Sequence, residues 1–262
     1  MSLELYHTML LIAGGINLLI ALVLLVGNYD YSDYDIYRRS RRFVALCYVV
    51  FAIGFFIHAH YAWRMTWPTG ATALSISYFH AGAVLFGWSH ISLMRPDYLT
   101  KKIVARDLII LLLGITAYWT LLAPSGLQSI DAIETIKAAI AKSVFFLHAG
   151  FIAFTFYRTY YLVRRSLLSM PADDAAPGWW TSEAKREVLS GHHSFVICCH
   201  LIILFGIGSI VITVATPTLV WPFTVLTTVG IAVFIYIFYS LTEYGRVIES
   251  ATCATEDAEK SR

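Results

Sequence analysis

The stretch RRSRRFVALCYVVFAIGFFI, residues 38–57, decides the fold. Four arginines within five residues are followed, without a spacer, by an uncharged run that continues to Trp63. At 1.5 Å per helical residue, the 21 residues 43–63 reach about 30 Å, the thickness of a bilayer's hydrocarbon core. The guanidinium groups cannot follow that run into lipid, so the stretch reads as a transmembrane helix whose first residue is fixed at one membrane surface. The rest of the chain has the same character. Of 262 residues 58% are hydrophobic and only 14% charged, where soluble domains carry about a quarter charged residues. That balance excludes a soluble globular enzyme and a disordered tail, and it leaves no room for a separate soluble domain of ordinary size.

Outward from residues 38–57 the pattern repeats, predicting an all-α integral membrane protein, a seven-transmembrane bundle with spans at about 6–27, 43–63, 71–94, 108–123, 138–163, 194–215 and 219–244, followed by a short polar tail, 247–262. Turn formers and charges separate the spans: Trp67-Pro68-Thr69-Gly70, Arg95-Pro96-Asp97, Pro124-Ser125-Gly126, and Thr216-Pro217-Thr218, which reads as a tight hairpin. Basic residues next to spans are retained in the cytoplasm. Sixteen of the nineteen Lys and Arg fall on one side, and only Arg64, Lys137 and Lys142 fall on the other. The N-terminus is therefore expected outside and the C-terminus in the cytoplasm, in a multi-pass protein of the cell (inner) membrane. The first span has no basic lead and no Ala-x-Ala site, so it reads as a retained span and not a signal peptide. Cys47, Cys198, Cys199 and Cys253 all fall toward the cytoplasmic side, which argues against a structural disulfide, and their spacing makes no zinc site.

Polar groups inside a membrane are costly and mark function, and here they are histidines. Phe79-His80-Ala81-Gly82 in the third span is matched by Leu147-His148-Ala149-Gly150 in the fifth. Both helices run in the same direction and place the two imidazoles at similar depth, facing each other or one shared cavity. Positions seven apart share a helix face, so Ala73, His80 and Gly87 form one stripe and Ala141, His148 and Thr155 another, with small residues that let helices approach. His58 and His60 end the second span in the same outer half, about 200° apart in direction, so at most one joins the pair. Lys142, above His148, snorkels outward or draws an anion inward. His90 and His200 form a possible second layer in the inner half. Ser89-His90 lacks an acidic third member, and no catalytic residue is expected. The outer halves offer no carboxylate, and Asp107 is placed at a span end.

Three chemistries fit these residues. One is a ligand pocket or protonation switch, since imidazole titrates near neutrality. A second is a membrane oxidoreductase, with haem held between His80 and His148 or a transition metal bound by those two with His58 or His60. Solute transport ranks third, because no broken pair of spans is evident. The leading expectation is a sensory or signalling protein that binds a small ligand or responds to protons. The loop 166–193, with Trp179-Trp180 and a capped segment from Thr181 or Ser182 to Leu189, reads as a short interfacial helix. Together with the tail, it is the surface for a cytoplasmic partner protein; the remaining partner is the lipid bilayer.

Phe79-His80-Ala81-Gly82 with Gly87-Trp88-Ser89-His90, and the exit sequence Leu241-Thr242-Glu243-Tyr244-Gly245-Arg246-Val247, resemble the multi-span N-terminal half of bacterial membrane-anchored regulators in which a bundle precedes a cytoplasmic AraC-type DNA-binding domain. The resemblance covers the spans only. It implies sensing and transfers no binding residue. After Arg246 only the short tail follows, with no helix-turn-helix, so no nucleic-acid contact is expected. The chain then acts as the sensor portion of something longer or through a partner.

Overall fold

The computed structural model describes residues 3–27, 35–124, 132–169, 182–215 and 218–260, and among them every regular element is helical. The helices are α1 (Leu3–Val26), α2 (Asp35–Tyr61), the single turn α3 (Trp63–Thr66), α4 (Pro68–Met94), α5 (Lys101–Ala117), α6 (Ala132–Ser169), α7 (Ser182–Ala215) and α8 (Val220–Lys260). A 3₁₀ turn, Pro96–Tyr98, links α4 to α5, and α5 continues as a π-helical turn, Tyr118–Leu122. Six segments are long and apolar enough to cross a membrane: Leu3–Val26, Asp35–Tyr61, Lys101–Leu122, Ala132–Leu162, Phe195–Thr213 and Val220–Tyr244.

The helix expected as the third span, α4, is not one of those six, although its 27 residues would extend about 40 Å. Its composition explains this. Nineteen of the 27 residues are buried, and they include Ser75, His80, Ser89, His90 and Ser92. α4 packs against α2, α5, α6 and α7. A helix surrounded by protein can carry polar side chains because neighbouring groups bond them, whereas a helix facing lipid cannot. α5 shows the opposite: only Asp107 and Gly114 are buried in its α-helical part.

α1 packs on α2 and α8, and α7 lies along α8. Tyr37 and Tyr48 of α2 donate to the Leu241 and Phe234 carbonyls of α8 at 3.1 and 2.5 Å. Ser40 donates to the Ser89 carbonyl of α4 at 3.0 Å. The Tyr37 and Ser40 bonds level the arginine-rich start of α2 with the end of α4 and the middle of α8. At the opposite end Trp63, Trp67 and Trp119 form an edge-to-face cluster, and the Trp67 indole donates to the Ala123 carbonyl at 3.1 Å. The bundle therefore has a basic end and a tryptophan end. The reversal between α2 and α3 passes through Ala62 in a left-handed conformation, φ 48° and ψ 31°, unusual for a residue with a Cβ.

Several helices run beyond the expected spans, among them α2 from Asp35 and α6 over Ala132–Ser169, and three further departures concern capped or polar segments. α5 begins at Lys101, not 108, because Thr100 caps it by accepting the Ile103 amide. No breaker as strong as proline separates residues 182–189 from the following span, so the expected interfacial segment forms the first turns of α7; Trp179, Trp180 and Thr181 lie outside the described residues. Residues 247–260 of the expected polar tail are helical and continue α8. Thr216-Pro217 of the expected hairpin also lie outside the described residues.

Candidate functional site

α4, α5 and α6 meet around four side chains. Asp107, Gly114 and Tyr118 lie at intervals of seven and four along α5, one helical stripe. Opposite them α4 presents His80 and Trp88, and α6 presents His148. Tyr118, His80 and Asp107 are 0% exposed and His148 is 4% exposed, so contact with bulk water is closed off and each polar atom depends on a protein partner.

The partners form a chain. The Tyr118 hydroxyl is 2.8 Å from His80 Nδ1, His80 Nε2 is 2.8 Å from His148 Nδ1, and His148 Nε2 is 3.4 Å from Asp107 Oδ1. Asp107 Oδ2 accepts the Trp88 indole N–H at 2.8 Å. The Arg106 guanidinium closes on Oδ1 at 2.7 and 2.8 Å and extends over the Phe151 ring, 4.9 Å from its centroid. The imidazole planes of His80 and His148 are nearly perpendicular, with centroids 5.0 Å apart.

Two proton assignments give each bond one donor and one acceptor, and the ion pair with Arg106 selects the one in which Asp107 is ionised. Asp107, ionised against Arg106, accepts His148 Nε2–H. His148 Nδ1 then accepts His80 Nε2–H, and His80 Nδ1 accepts the Tyr118 O–H. All three bonds point toward Asp107. Both rings are neutral, and the only charges form an ion pair at the basic end, which keeps the desolvation cost low. A proton arriving at the Tyr118 oxygen can thus be matched by one appearing on Asp107, with both imidazoles changing tautomer between them. Along α5 that path covers about 16 Å.

Backbone features hold the chain. A Cβ on Gly114 would lie 2.8 Å from the Tyr118 hydroxyl oxygen and 2.9 Å from His80 Nδ1, so only glycine admits His80 this close to α5. The π-helical turn starts at Tyr118, with the Ala123 amide reaching the Tyr118 carbonyl five residues back at 2.9 Å. Such widened turns recur at functional sites. Ala73 and Ala141, both 0% exposed, let α4 and α6 approach beside the histidines.

The other candidates lie elsewhere. His58 is buried and meets Ser75 Oγ at 3.1 Å, beside the buried Arg64, which also reaches the Tyr6 hydroxyl at 3.3 Å. His60 is exposed and packs edge-on against Tyr61. Neither joins His80 and His148, because α2 meets α4 on a different face from α5 and α6. Lys142 is half-buried on α6 and no bond of the chain involves it. His90 and His200 each bond the carbonyl four residues earlier on their own helix, Phe86 at 2.8 Å and Val196 at 2.7 Å; His90 is buried against Phe195 and His200 is exposed, so they form no shared layer.

Sequence reasoning missed Asp107, Tyr118, Trp88 and Arg106. The signal was the stripe of Asp107, Gly114 and Tyr118, hidden because a span starting at 108 places Asp107 outside it. The His80–His148 bond also bears on haem: two rings that bond each other leave no flat slot between them for a macrocycle. Among the described residues, no group of three or more His, Cys, Asp or Glu side chains is arranged to hold a metal ion. No family model matches the chain, and no curated protein or solved structure is significantly similar to it.

Proposed function

We propose that this chain is a proton-responsive sensory or signalling protein of the cell (inner) membrane, with seven spans including α4, its N-terminus outside and its C-terminus in the cytoplasm. One observation carries this reading: the buried chain of contacts from Tyr118 through His80 and His148 to Asp107, which the proton assignment above makes one-directional. Protonating Asp107 removes the acceptor of His148 Nε2–H and the counter-charge of Arg106, so the bonds that tie α4, α5 and α6 rearrange. That supplies two states with different proton affinity, the minimum for a switch. The 16-to-3 division of basic residues supports the orientation, and the resemblance to the membrane halves of AraC-type regulators agrees with sensing. The signal would leave through the cytoplasmic segments 166–193 and 247–262 to a partner protein.

Hydrogen exchange of the protein in lipid nanodiscs at neutral and acidic pH tests the reading. Protection in α4–α6 should change with pH in the wild type. His80→Gln and His148→Gln should each remove the change while keeping the fold, and the double variant should lose no more than either single one, as members of one coupled site do. A wild-type pH response in both well-folded variants would refute the proposal.

A further inference from the structure

A second feature lies outside the hydrogen-bonded chain. A cavity of about 270 Å³ lies among α2, α4, α6, α7 and α8. Its walls are aromatic, among them Phe51, Phe79, Phe86, Phe156, Phe205 and Phe234. The glycines around it are of two kinds. On α4 a Cβ at Gly82 would meet the Phe51 ring at 2.7 Å, so that wall is packed tight. On the facing helices α6 and α7, a Cβ at Gly150 or Gly206 would meet nothing within 4 Å. Glycine in a helix interior costs about 1 kcal/mol relative to alanine. No packing contact demands it at 150 or 206; Gly206 is half-buried, Gly150 is exposed, and both border the cavity.

The polar features of the cavity are few. His90 lines it, with Nδ1 bonded to the Phe86 carbonyl at 2.8 Å. In the neutral ring that bond takes the proton, which leaves Nε2 an acceptor. Among the described residues nothing bonds Nε2. An apolar cavity of 150 Å³ holds benzene; in proportion, this one holds roughly eleven non-hydrogen atoms, the size of two fused rings.

We propose that the cavity binds a lipophilic ring alcohol or phenol, which enters from the bilayer between α6 and α7 and donates its hydroxyl to His90 Nε2. Flat rings meet the phenylalanine edges and faces, while a hydroxyl in hydrocarbon needs an acceptor; among the described lining residues His90 offers a ring nitrogen, and the Cys199 thiol is only a weak acceptor. A lipid acyl chain would use neither feature. Phe145 lines the cavity and also packs edge-on against His80, centroids 5.5 Å apart, so an occupant touches a residue that touches the proton chain. Binding is measured directly in the test below, and its failure leaves the proton reading intact.

The test uses full-length protein in nanodiscs, with 2-naphthol and its hydroxyl-free counterpart naphthalene as probes and empty nanodiscs as background. The wild type should bind one 2-naphthol saturably, about tenfold more tightly than naphthalene, the factor one hydrogen bond supplies. His90→Phe should bring 2-naphthol to the affinity of naphthalene. Gly206→Leu should abolish binding of both with thermal stability at or above wild type, and Gly150→Leu, from the opposite wall, should do the same. Binding no greater than in empty discs, equal wild-type affinity for the two probes, or binding unaffected by the folded variants would each overturn the proposal.

Discussion

At the residue scale, Asp107 is where membrane cost and chemistry meet. It holds three partners from three helices, Trp88, His148 and its neighbour Arg106. Asp107→Ala would strand the indole and imidazole N–H groups and leave Arg106 without its counter-charge. We expect a loss of about 3 kcal/mol of stability, measurable by chemical denaturation in mixed micelles, against about 0.6–2 kcal/mol for His80→Gln, the range for a membrane hydrogen bond. Equal losses would mean that Asp107 is not the anchor. Gly114→Ala is a second expectation. Its Cβ would collide with His80 and Tyr118, and we expect a cost of about 1–3 kcal/mol from overpacking together with an altered Tyr118 absorbance; a silent substitution would show that the close approach is not needed. Pairing His80 with His148 was legible in their matched depth and repeated phrase. Asp107 was not, because hydropathy reads a charge beside an apolar run as the end of a span, and nothing in a single sequence shows that a neighbouring helix covers it.

At the element scale, α4 departs from the six apolar spans. α4 is too polar to register as a span by composition, yet 19 of its 27 residues are buried; the breakers Trp67-Pro68 and Arg95-Pro96 made the helix itself legible, and it runs Pro68–Met94. The extension of α5 back to Lys101 depends on the Thr100 cap, and the joining of residues 182–189 to α7 depends on the lack of a strong breaker; both are features of a few residues that periodicity does not resolve. Ala62, between α2 and α3, adopts a left-handed conformation that costs a side-chain-bearing residue about 1–2 kcal/mol. Ala62→Gly should therefore stabilise the protein by about 0.5–1 kcal/mol after glycine's greater chain entropy is subtracted. Destabilisation in a thermal melt would mean that the Ala62 methyl group contributes more packing than the backbone strain costs.

For the whole molecule, the division of basic residues, sixteen on one side against three on the other, predicts the orientation. Reporter fusions after residue 246 should score cytoplasmic and fusions within residues 125–131 external; the reverse pattern would overturn the proposed orientation. The most direct test is ¹⁵N magnetic resonance of histidine-labelled protein in lipid, followed as the pH is lowered. His80 and His148 should both be neutral Nε2–H tautomers at neutral pH and should convert together to Nδ1–H at one common midpoint, with the conversion abolished in Asp107→Asn. Unlike tautomers at neutral pH, or two rings that titrate independently at separate midpoints, would contradict a single proton-carrying unit.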